Sequence, residues 1–259
     1  MEDGSIDWLS FERLLQRQVD AGVKGLVIAG TTAESPALTV QEKLSLIKRT
    51  RAYVGQKLRL MAGSGSSNTQ QSVELSIAAL EAGADSLLIV TPPYNKPSLT
   101  GLLGHYTQIA EATHVELCLY HVPGRTAQTL VLDDFLQLVQ IPNVTVIKEA
   151  SGDLALFSAV ATRCDVEVLS GDDPTFLSSL AVGGAGAISV VTNLFPKAFV
   201  RMQDAFMAGR VQEALRYHRM LQPLLDILFC EANPSPLKAA MSMQGLCQQT
   251  LRLPLAPVS

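Results

Sequence analysis

Short apolar segments with the composition of β-strands alternate with longer amphipathic segments along this chain. Seven such strands, some running on into the following loop, are predicted within residues 25–30, 58–65, 85–95, 115–126, 144–150, 166–173 and 186–193. Each is almost continuously apolar, which is typical of parallel strands buried on both faces. The intervening segments are long enough for helical crossovers. The pattern therefore predicts an α/β fold, either a (β/α) barrel one strand short of eight or a large doubly wound sheet.

Two features favour the barrel. No G-x-G-x-x-G motif follows the first predicted strand, so a dinucleotide-binding sheet lacks its main support. Three predicted helices, at residues 196–208, 211–229 and 236–244, follow the last strand, and those after Gly209 resemble an appendage on a barrel. We therefore expect a (β/α) barrel over residues 1–209 and a C-terminal helical segment over residues 210–259.

The net charge, the lengths of the apolar runs and the spacing of the cysteines limit the classes of function that the sequence supports. The 259 residues carry a net charge of −4 without long charged runs, which gives no support for a nucleic-acid or basic membrane-binding face. No apolar run reaches the ~18 residues of a membrane-spanning helix, and the acidic, polar N-terminus does not resemble a signal peptide. The four cysteines, Cys118, Cys164, Cys230 and Cys247, are far apart and form no paired spacing. We expect free thiols and a cytoplasmic protein.

A lysine follows one of the predicted strands directly. Residues 144–147 (VTVI) are β-branched and largely apolar, and Lys148 comes next, with Glu149 and turn-forming residues after it. Burial at the mouth of a strand bundle disfavours the charged form of a lysine, and a neutral amine can attack a carbonyl to form a Schiff base. Alternatively, Lys148 extends to solvent and pairs with Glu149. Adjacent strand residues point to opposite faces, so we expect Glu149 to be structural.

Other polar side chains collect at the ends of the predicted strands, which form the active face of a barrel. They are Thr31 and Thr32 after the first strand, Tyr94 after the third, Tyr120 at the end of the fourth and Arg125 in the following loop. Each has a simpler explanation, since threonines cap helices, tyrosines pack at strand ends and arginines lie in solvated loops. Together with Lys148 they provide an amine nucleophile, hydroxyl groups for proton transfer and a cation that binds carboxylates bidentately.

Metal chemistry has no support in the sequence, because no group of histidine, cysteine and acidic residues has metal-ligand spacing. The residues therefore favour carbonyl chemistry through an imine, with no cofactor.

Several motifs of this chain occur together in one known family. They are GTTAES (Gly30–Ser35), TPPYNKP (Thr91–Pro97), YHVPGRT (Tyr120–Thr126), VIKEASGD (Val146–Asp153), LSGDD (Leu169–Asp173), GAISV (Gly186–Val190) and NPSPLKAA (Asn233–Ala240). In this order they resemble the dihydrodipicolinate synthase family, part of the pyruvate-dependent class I aldolase and lyase superfamily that includes N-acetylneuraminate lyase. The arginine of PGRT and the NPSPLKAA and LRLPL segments favour a synthase over the sister lyases.

The resemblance implies a fold and a reaction. The fold is a (β/α)8 TIM barrel with a C-terminal helical segment, assembled as a homotetramer of two tight dimers. The reaction is that of a Schiff-base (class I) lyase, which condenses pyruvate with L-aspartate 4-semialdehyde in the biosynthesis of lysine and diaminopimelate. Neither a metal nor an organic cofactor takes part.

The resemblance also implies roles for four catalytic residues. Pyruvate would condense with Lys148, and the resulting enamine would attack the aldehyde of the semialdehyde. Tyr120 would donate and accept protons beside the imine. Thr31 would connect Tyr120 to Tyr94, which in this family reaches across the dimer interface into the neighbouring site.

Substrate binding is implied for a second set of residues. Thr31 and Thr32 would hold the carboxylate of pyruvate, and Arg125 would bind the carboxylate of the semialdehyde. The main chain at Gly171 and Ile188 would line the pocket.

Three departures from the family pattern leave alternatives open. Relatives have an additional apolar strand before the Asp-Gly that is Asp3–Gly4 here, which would explain the count of seven, and they usually have a further helix after the position of Ser259. Ala33 stands where a glycine is expected, and alanine would strain this turn if the position required a positive φ. The alternatives are another pyruvate-dependent aldolase or lyase, or a catalytically impaired, truncated paralogue with a structural role.

One set of residues bears on feedback inhibition by lysine, which binds at the subunit interface of some relatives. Val40, Lys43 and Pro93 stand where imidazole or phenol groups often occur in those relatives. We therefore expect weak or absent inhibition by lysine, because the groups that would bind it are replaced. Turnover measured over a titration with lysine tests this expectation, and strong inhibition at physiological concentrations would contradict it.

Overall fold

The structure is a computed structural model that describes residues 4–259, so Asp3 and the two residues before it lie outside the described part of the chain. The strands are β1 (Gly25–Ile28), β2 (Arg59–Gly63), β3 (Ser86–Val90), β4 (Leu117–His121), β5 (Val144–Glu149), β6 (Glu167–Ser170) and β7 (Gly186–Ala187). The helices are α1 (Trp8–Ala21), α2 (Val40–Val54), α3 (Thr69–Glu81), α4 (Leu99–Thr113), α5 (Pro123–Thr126), α6 (Leu132–Leu138), α7 (Leu154–Arg163), α8 (Phe176–Ala181), α9 (Pro196–Met207), α10 (Val211–Leu228) and α11 (Ser235–Met243).

Contacts between residues divide the described chain into two compact units. The first comprises residues 4–58 and Ser189–Ser259, and contains β1 with helices α1, α2 and α9–α11. The second comprises Arg59–Ile188, and contains strands β2–β7 with helices α3–α8. The boundary predicted between residues 209 and 210 separates a barrel from a C-terminal helical segment, and it stays a prediction.

The second unit is built on a parallel sheet in which each of the strands β2–β7 pairs with the next along the chain. All five residues of β4 and the first four of β3 are buried. Alternate side chains of a strand point to opposite faces, so both faces of these strands are covered. Burial on both faces explains why the sequence of these strands is continuously apolar rather than alternating.

Helices cover this sheet with large apolar side chains. Helix α3 packs against α4, α4 against α6 and α6 against α7. Tyr106, Phe135 and Phe157 from these helices are buried, and full burial of a side chain of this size stabilises the fold by about 1.5–3 kcal/mol. The hydroxyl of Tyr106 donates to the carbonyl of Ile89 on β3 at 3.0 Å, so the polar atom of this ring is paired.

Local sequence signals set two helix ends in the first unit. Helix α1 ends because Gly22 adopts a left-handed conformation with φ 77°, from which its N–H bonds to the last carbonyls of the helix. Helix α2 begins after Thr39, whose hydroxyl accepts from the N–H of Glu42 while the Glu42 carboxylate accepts from the N–H of Thr39. Both helix ends are thus set by residues that lie next to the helix in the sequence.

The last predicted strand is shorter than expected. Of residues 186–193, Gly186–Ala187 form the strand β7 beside β6, and Val191–Asn193 form a 3-10 turn. The hydroxyl of Ser189 accepts from the N–H of Thr192, and the Thr192 hydroxyl donates to the Ser189 carbonyl. Such local bonds offer the backbone an alternative to sheet pairing, and apolar periodicity does not reveal them. The prediction of a full strand here is wrong.

The α/β class and the parallel pairing of β2–β7 are confirmed. The closed eight-stranded barrel and the missing first strand stay predictions. Within residues 4–259, none of the helices has the length and apolar character needed to cross a membrane.

Gly65 follows β2 at a point where no side chain fits. A Cβ there would lie 2.6 Å from the main-chain nitrogen of Val90. We expect Gly65→Ala to lower the free energy of unfolding by about 1–3 kcal/mol, because the backbone of β3 has to move.

Chemical denaturation measures the effect, with Gly104→Ala as the control. Gly104 lies inside α4 with open space around it, so alanine there should raise stability by up to ~1 kcal/mol. A Gly65→Ala variant as stable as the unsubstituted protein would contradict the expectation.

Candidate active site

Lys148 occupies the penultimate position of β5, and only 8% of its surface is exposed. It lies in register with Tyr120 on β4 and with Leu169 on β6. The simpler interpretation required the Lys148 side chain to extend to solvent, and the structure shows that it does not. Its neighbour Glu149 bonds to His121 and not to Lys148. The groups around the amine therefore have to account for the burial of the lysine.

Tyr120 covers the amine of Lys148. The Nζ atom lies over the Tyr120 ring, 4.0 Å from the ring centroid. When charged, the ammonium is attracted to the face of the ring, and in either state the amine lies beside a phenol that can donate and accept protons. Register pairing on adjacent strands creates this contact, because paired residues project from the same face of a sheet.

Gly171 provides the space that Lys148 fills. A Cβ on Gly171 would lie 2.6 Å from Cε of Lys148, so any side chain there would displace the amine. The N–H of Gly171 donates to the carbonyl of Glu149 at 2.7 Å, and the N–H of Ile188 donates to the carbonyl of Ser170 at 2.9 Å. These bonds continue the parallel pairing beyond the ends of β6 and β7, and they fix the main chain that the sequence predicts to line the pocket.

A second potential nucleophile lies on the same face as Lys148. Cys118 precedes Tyr120 by two residues on β4 and is fully buried. Burial raises the pKa of its thiol to about 12, although the nearby charge of Lys148 acts in the opposite direction. The thiol therefore stays protonated at neutral pH, and a protonated thiol is a poor nucleophile.

Two predicted residues of this unit lie on its surface. Arg125 is exposed within α5, a single helical turn that Pro123 begins. Tyr94, in the loop after β3, is 92% exposed and has a positive φ of 72°. The unit therefore brings Tyr120 and Gly171 against Lys148 but leaves Arg125 and Tyr94 on the surface.

The two predicted threonines lie in the other unit. Thr31 and Thr32 begin a 3-10 turn over Thr31–Ala33, which follows β1 after Ala29 and Gly30. Nδ2 of Asn233 donates to the hydroxyl oxygen of Thr32 at 3.0 Å. Hydroxyls and main-chain N–H groups of a tight turn are donors that suit a carboxylate.

The alanine in place of the family's glycine causes no strain. Ala33 lies inside the 3-10 turn, and the left-handed residue is the next one, Glu34, with φ 56°. The expected strain at Ala33 is therefore not found, because the position does not require a positive φ.

Sequence reasoning assigned no role to a buried imidazole on the opposite face from Lys148. Nδ1 of His121 lies 2.9 Å from Oε1 of Glu149, and the two side chains are 0% and 2% exposed. Nε2 of His121 accepts from the N–H of Leu130 at 3.1 Å, which leaves the ring hydrogen on Nδ1 for Glu149. The same carboxylate oxygen accepts from the N–H of Ser151 at 3.0 Å. The pair thus joins β4 and β5 to the loops that follow them, as expected for a structural Glu149.

The sequence contains a pattern from which the His121–Glu149 pair could have been predicted. Tyr120–His121 and Lys148–Glu149 are dipeptides at the ends of neighbouring strands, so one register pairs both members. The tyrosine and lysine then share one face, while the histidine and glutamate share the other.

No group of three or more His, Cys, Asp or Glu residues is placed to hold a metal ion in the part of the chain that the structure describes. The expectation of a reaction without a cofactor stays a prediction.

A buried lysine at the end of a parallel strand, with a phenol over its amine, is the arrangement of a Schiff-base (class I) lyase on an α/β fold. The whole chain, residues 1–259, matches the model of the dihydrodipicolinate synthetase family, and the protein belongs to that family.

Individual relatives agree with this assignment. The chain is 40% identical over 257 residues to the 4-hydroxy-tetrahydrodipicolinate synthase of Magnetococcus marinus, with 98% of this chain and 88% of the relative covered. Its structure is similar to the chloride-inhibited, pyruvate-bound dihydrodipicolinate synthase of Acinetobacter baumannii, with a TM-score of 0.96, 39% identity, and coverage of 99% and 89%. It is also similar to a monomeric dihydrodipicolinate synthase variant, with a TM-score of 0.97, 37% identity, and coverage of 100% and 88%.

The Glu149–His121 pair supports a prediction about stability. Glu149→Ala removes the acceptor for His121, which stays buried, and for the N–H of Ser151, which is half-buried. We expect the free energy of unfolding to fall by about 3–5 kcal/mol, as for other buried pairs that lose one partner.

Chemical denaturation measures the loss, and Glu213→Ala is the matched control. Glu213 pairs with Arg210 in an exposed ion pair, whose removal should cost less than about 1 kcal/mol. Glu149→Gln keeps an acceptor oxygen and should be intermediate. Equal losses for Glu149→Ala and Glu213→Ala would contradict a structural role for the buried pair.

Proposed function

We propose that this protein condenses pyruvate with L-aspartate 4-semialdehyde, the reaction of 4-hydroxy-tetrahydrodipicolinate synthase. Membership of the family and the named relatives at about 40% identity support this reaction over that of the sister aldolases and lyases. They also favour it over a catalytically impaired paralogue. The product serves the biosynthesis of lysine and diaminopimelate.

The contact between Lys148 and Tyr120 is the observation that carries the proposal. The Lys148 amine attacks the keto carbon of pyruvate, whose oxygen leaves as water to give an imine. Loss of a methyl proton gives an enamine, and its carbon attacks the aldehyde of the second substrate. Each step moves a proton next to the amine, and the phenol of Tyr120 lies where it can donate and accept those protons.

We assign the other residues by the family resemblance. Thr31 and Tyr94 belong to the proton relay with Tyr120, and Thr31 with Thr32 binds the carboxylate of pyruvate. The hydroxyl and N–H donors of the turn after β1 suit that anion. Exposure of Arg125 suits a residue that meets the carboxylate of an incoming second substrate.

Main-chain groups complete the assigned site. We propose that the backbone at Gly171 and Ile188 lines the pyruvate pocket, since both residues follow strands next to β5 or β6 and are held by main-chain hydrogen bonds.

Architecture, assembly and location are part of the same proposal. We infer a (β/α)8 barrel with a C-terminal helical segment, which the TM-scores of 0.96 and 0.97 to synthase structures support. We infer a homo-oligomer, a dimer of dimers, from the family resemblance, and the 92% exposure of Tyr94 suits a side chain that a neighbouring copy covers. The four cysteines are free thiols, which suits the reducing cytoplasm.

Borohydride trapping tests the proposal. Reduction in the presence of pyruvate should attach the pyruvate carbons to Lys148, detected by peptide mass spectrometry, because borohydride reduces the imine to a stable amine. The coupled assay with pyruvate and the semialdehyde should show turnover. A folded protein that forms no adduct would exclude the mechanism.

Arg125→Ala is the discriminating variant in this experiment. It should raise the KM for the semialdehyde by about 10–100-fold, the factor expected for one charge-assisted hydrogen bond, and change pyruvate trapping less than about twofold. Arg163→Ala, which removes an exposed arginine at the end of α7, is the control. Equal effects of the two substitutions would favour a different second substrate.

A further inference from the structure

The turn that carries Thr31 and Thr32 is held by residues about two hundred positions further along the chain. Glu34 joins two 3-10 turns, Thr31–Ala33 and Ser35–Ala37, in a left-handed conformation that residues with a side chain seldom adopt. Backbone of this kind persists only where its surroundings fix it. The contacts of Glu34 therefore decide whether the turn has one conformation.

Both carboxylate oxygens of Glu34 bond to the C-terminal part of the chain. Oε1 lies 2.8 Å from Nζ of Lys238 on α11, and Oε2 accepts from the main-chain N–H of Arg252 at 2.8 Å. The Lys238 ammonium also donates to the carbonyl of Thr250. The Glu34 and Lys238 side chains are 12% and 23% exposed, so this ion pair is only partly screened by water.

A third C-terminal residue acts on Thr32 itself. Nδ2 of Asn233 donates to the Thr32 hydroxyl oxygen, and Asn233 is buried. A hydroxyl that accepts from an amide still has its own hydrogen to donate. Asn233 therefore orients the Thr32 hydroxyl as a donor, which is the role that a carboxylate ligand requires.

The second 3-10 turn is fixed from the same segment. The guanidinium of Arg252 donates to the carbonyl of Ala37 at 2.8 Å and to both carboxylate oxygens of Glu42 in α2. The hydrogen bonds from the Arg252 guanidinium and from the N–H of Thr39 lower the pKa of the Glu42 carboxyl to about 2. The Glu42–Arg252 pair therefore stays charged throughout the neutral range. The segment from Thr31 to Glu42 is thus anchored at both ends.

We infer that Asn233, Lys238 and Arg252 are positioning residues for the Thr31–Thr32 turn, and that through this turn they set the affinity for the carboxylate of the 2-oxo acid. The part of this inference that concerns affinity rests on the proposed function. The part that concerns the turn rests only on the contacts of Glu34 and Thr32.

Lys238→Met tests both parts, because it removes the ammonium and keeps a side chain of similar length. We expect the KM for pyruvate to rise about tenfold, the factor equivalent to about 1.4 kcal/mol, because a loosened turn weakens ground-state and transition-state binding alike. The KM for the semialdehyde should change less than about twofold, because the turn does not bind that substrate, whereas kcat should also fall because Thr31 belongs to the proposed proton relay. Lys238→Arg restores a cation to Glu34 and should recover most of the affinity.

Hydrogen exchange supplies a measurement that needs no substrate. The N–H groups of Glu34, Ala37 and Leu38 are bonded within the two 3-10 turns, and their exchange should accelerate in Lys238→Met. Glu34→Gln should have a similar effect, and the double variant should be no worse than the more affected single variant, since the two residues share one interaction. Arg210→Gln, which breaks the exposed pair with Glu213, is the matched control and should leave exchange and KM unchanged.

The outcomes separate the two proposals. An unsubstituted protein without pyruvate trapping or turnover would remove the proposed function, while faster exchange in Lys238→Met would still support positioning of the turn. In an active protein, an unchanged KM for pyruvate together with unchanged exchange in Lys238→Met would overturn the inference. A loss of thermal stability with no change in KM would show that Lys238 is structural only.

Discussion

The parallel register of β4 and β5 is the constraint on which the chemistry depends. It sets Tyr120 beside Lys148, and because side chains alternate along a strand, it also sets His121 beside Glu149 on the opposite face. One register therefore produces an amine under a phenol on one side and a hydrogen-bonded imidazole–carboxylate pair on the other. A shift by one residue would exchange the two faces and bring the amine among the covering helices.

Hydrogen bonds on one face of this pairing and close packing on the other accompany the burial of its polar side chains. The buried Glu149 carboxylate has hydrogen-bond partners, because His121 and the main-chain N–H of Ser151 both donate to it. On the other face, Gly171 leaves room for the Lys148 stem, and the Cys118 thiol stays protonated because it is buried. The site thus contains one amine with a shaped space and a proton-carrying neighbour, which suits a Schiff-base lyase of the dihydrodipicolinate synthetase family.

The unit that contains Thr31 and Thr32 is organised differently. Its turn after β1 has little pairing of its own and obtains its contacts from residues near the end of the sequence. The LRLPL and NPSPLKAA segments, which resembled the family in sequence, contain the residues that make these contacts. These residues hold Glu34 in its left-handed conformation and orient the hydroxyl of Thr32. A C-terminal segment remote in sequence thus supports a turn close to the N-terminus.

The sequence by itself determined the α/β class, most helix and strand positions, and the location of Lys148 and Tyr120 at strand ends. These follow from periodicity and local capping signals, which depend on residues close together in the chain. It did not reveal the short β7, because apolar periodicity carries no information on the hydrogen bonds between Ser189 and Thr192 that compete with sheet pairing. Only the tertiary structure decided that Lys148 is buried, that His121 and not Lys148 bonds to Glu149, and that Glu34 joins Lys238, because these contacts require pairing between segments far apart in sequence.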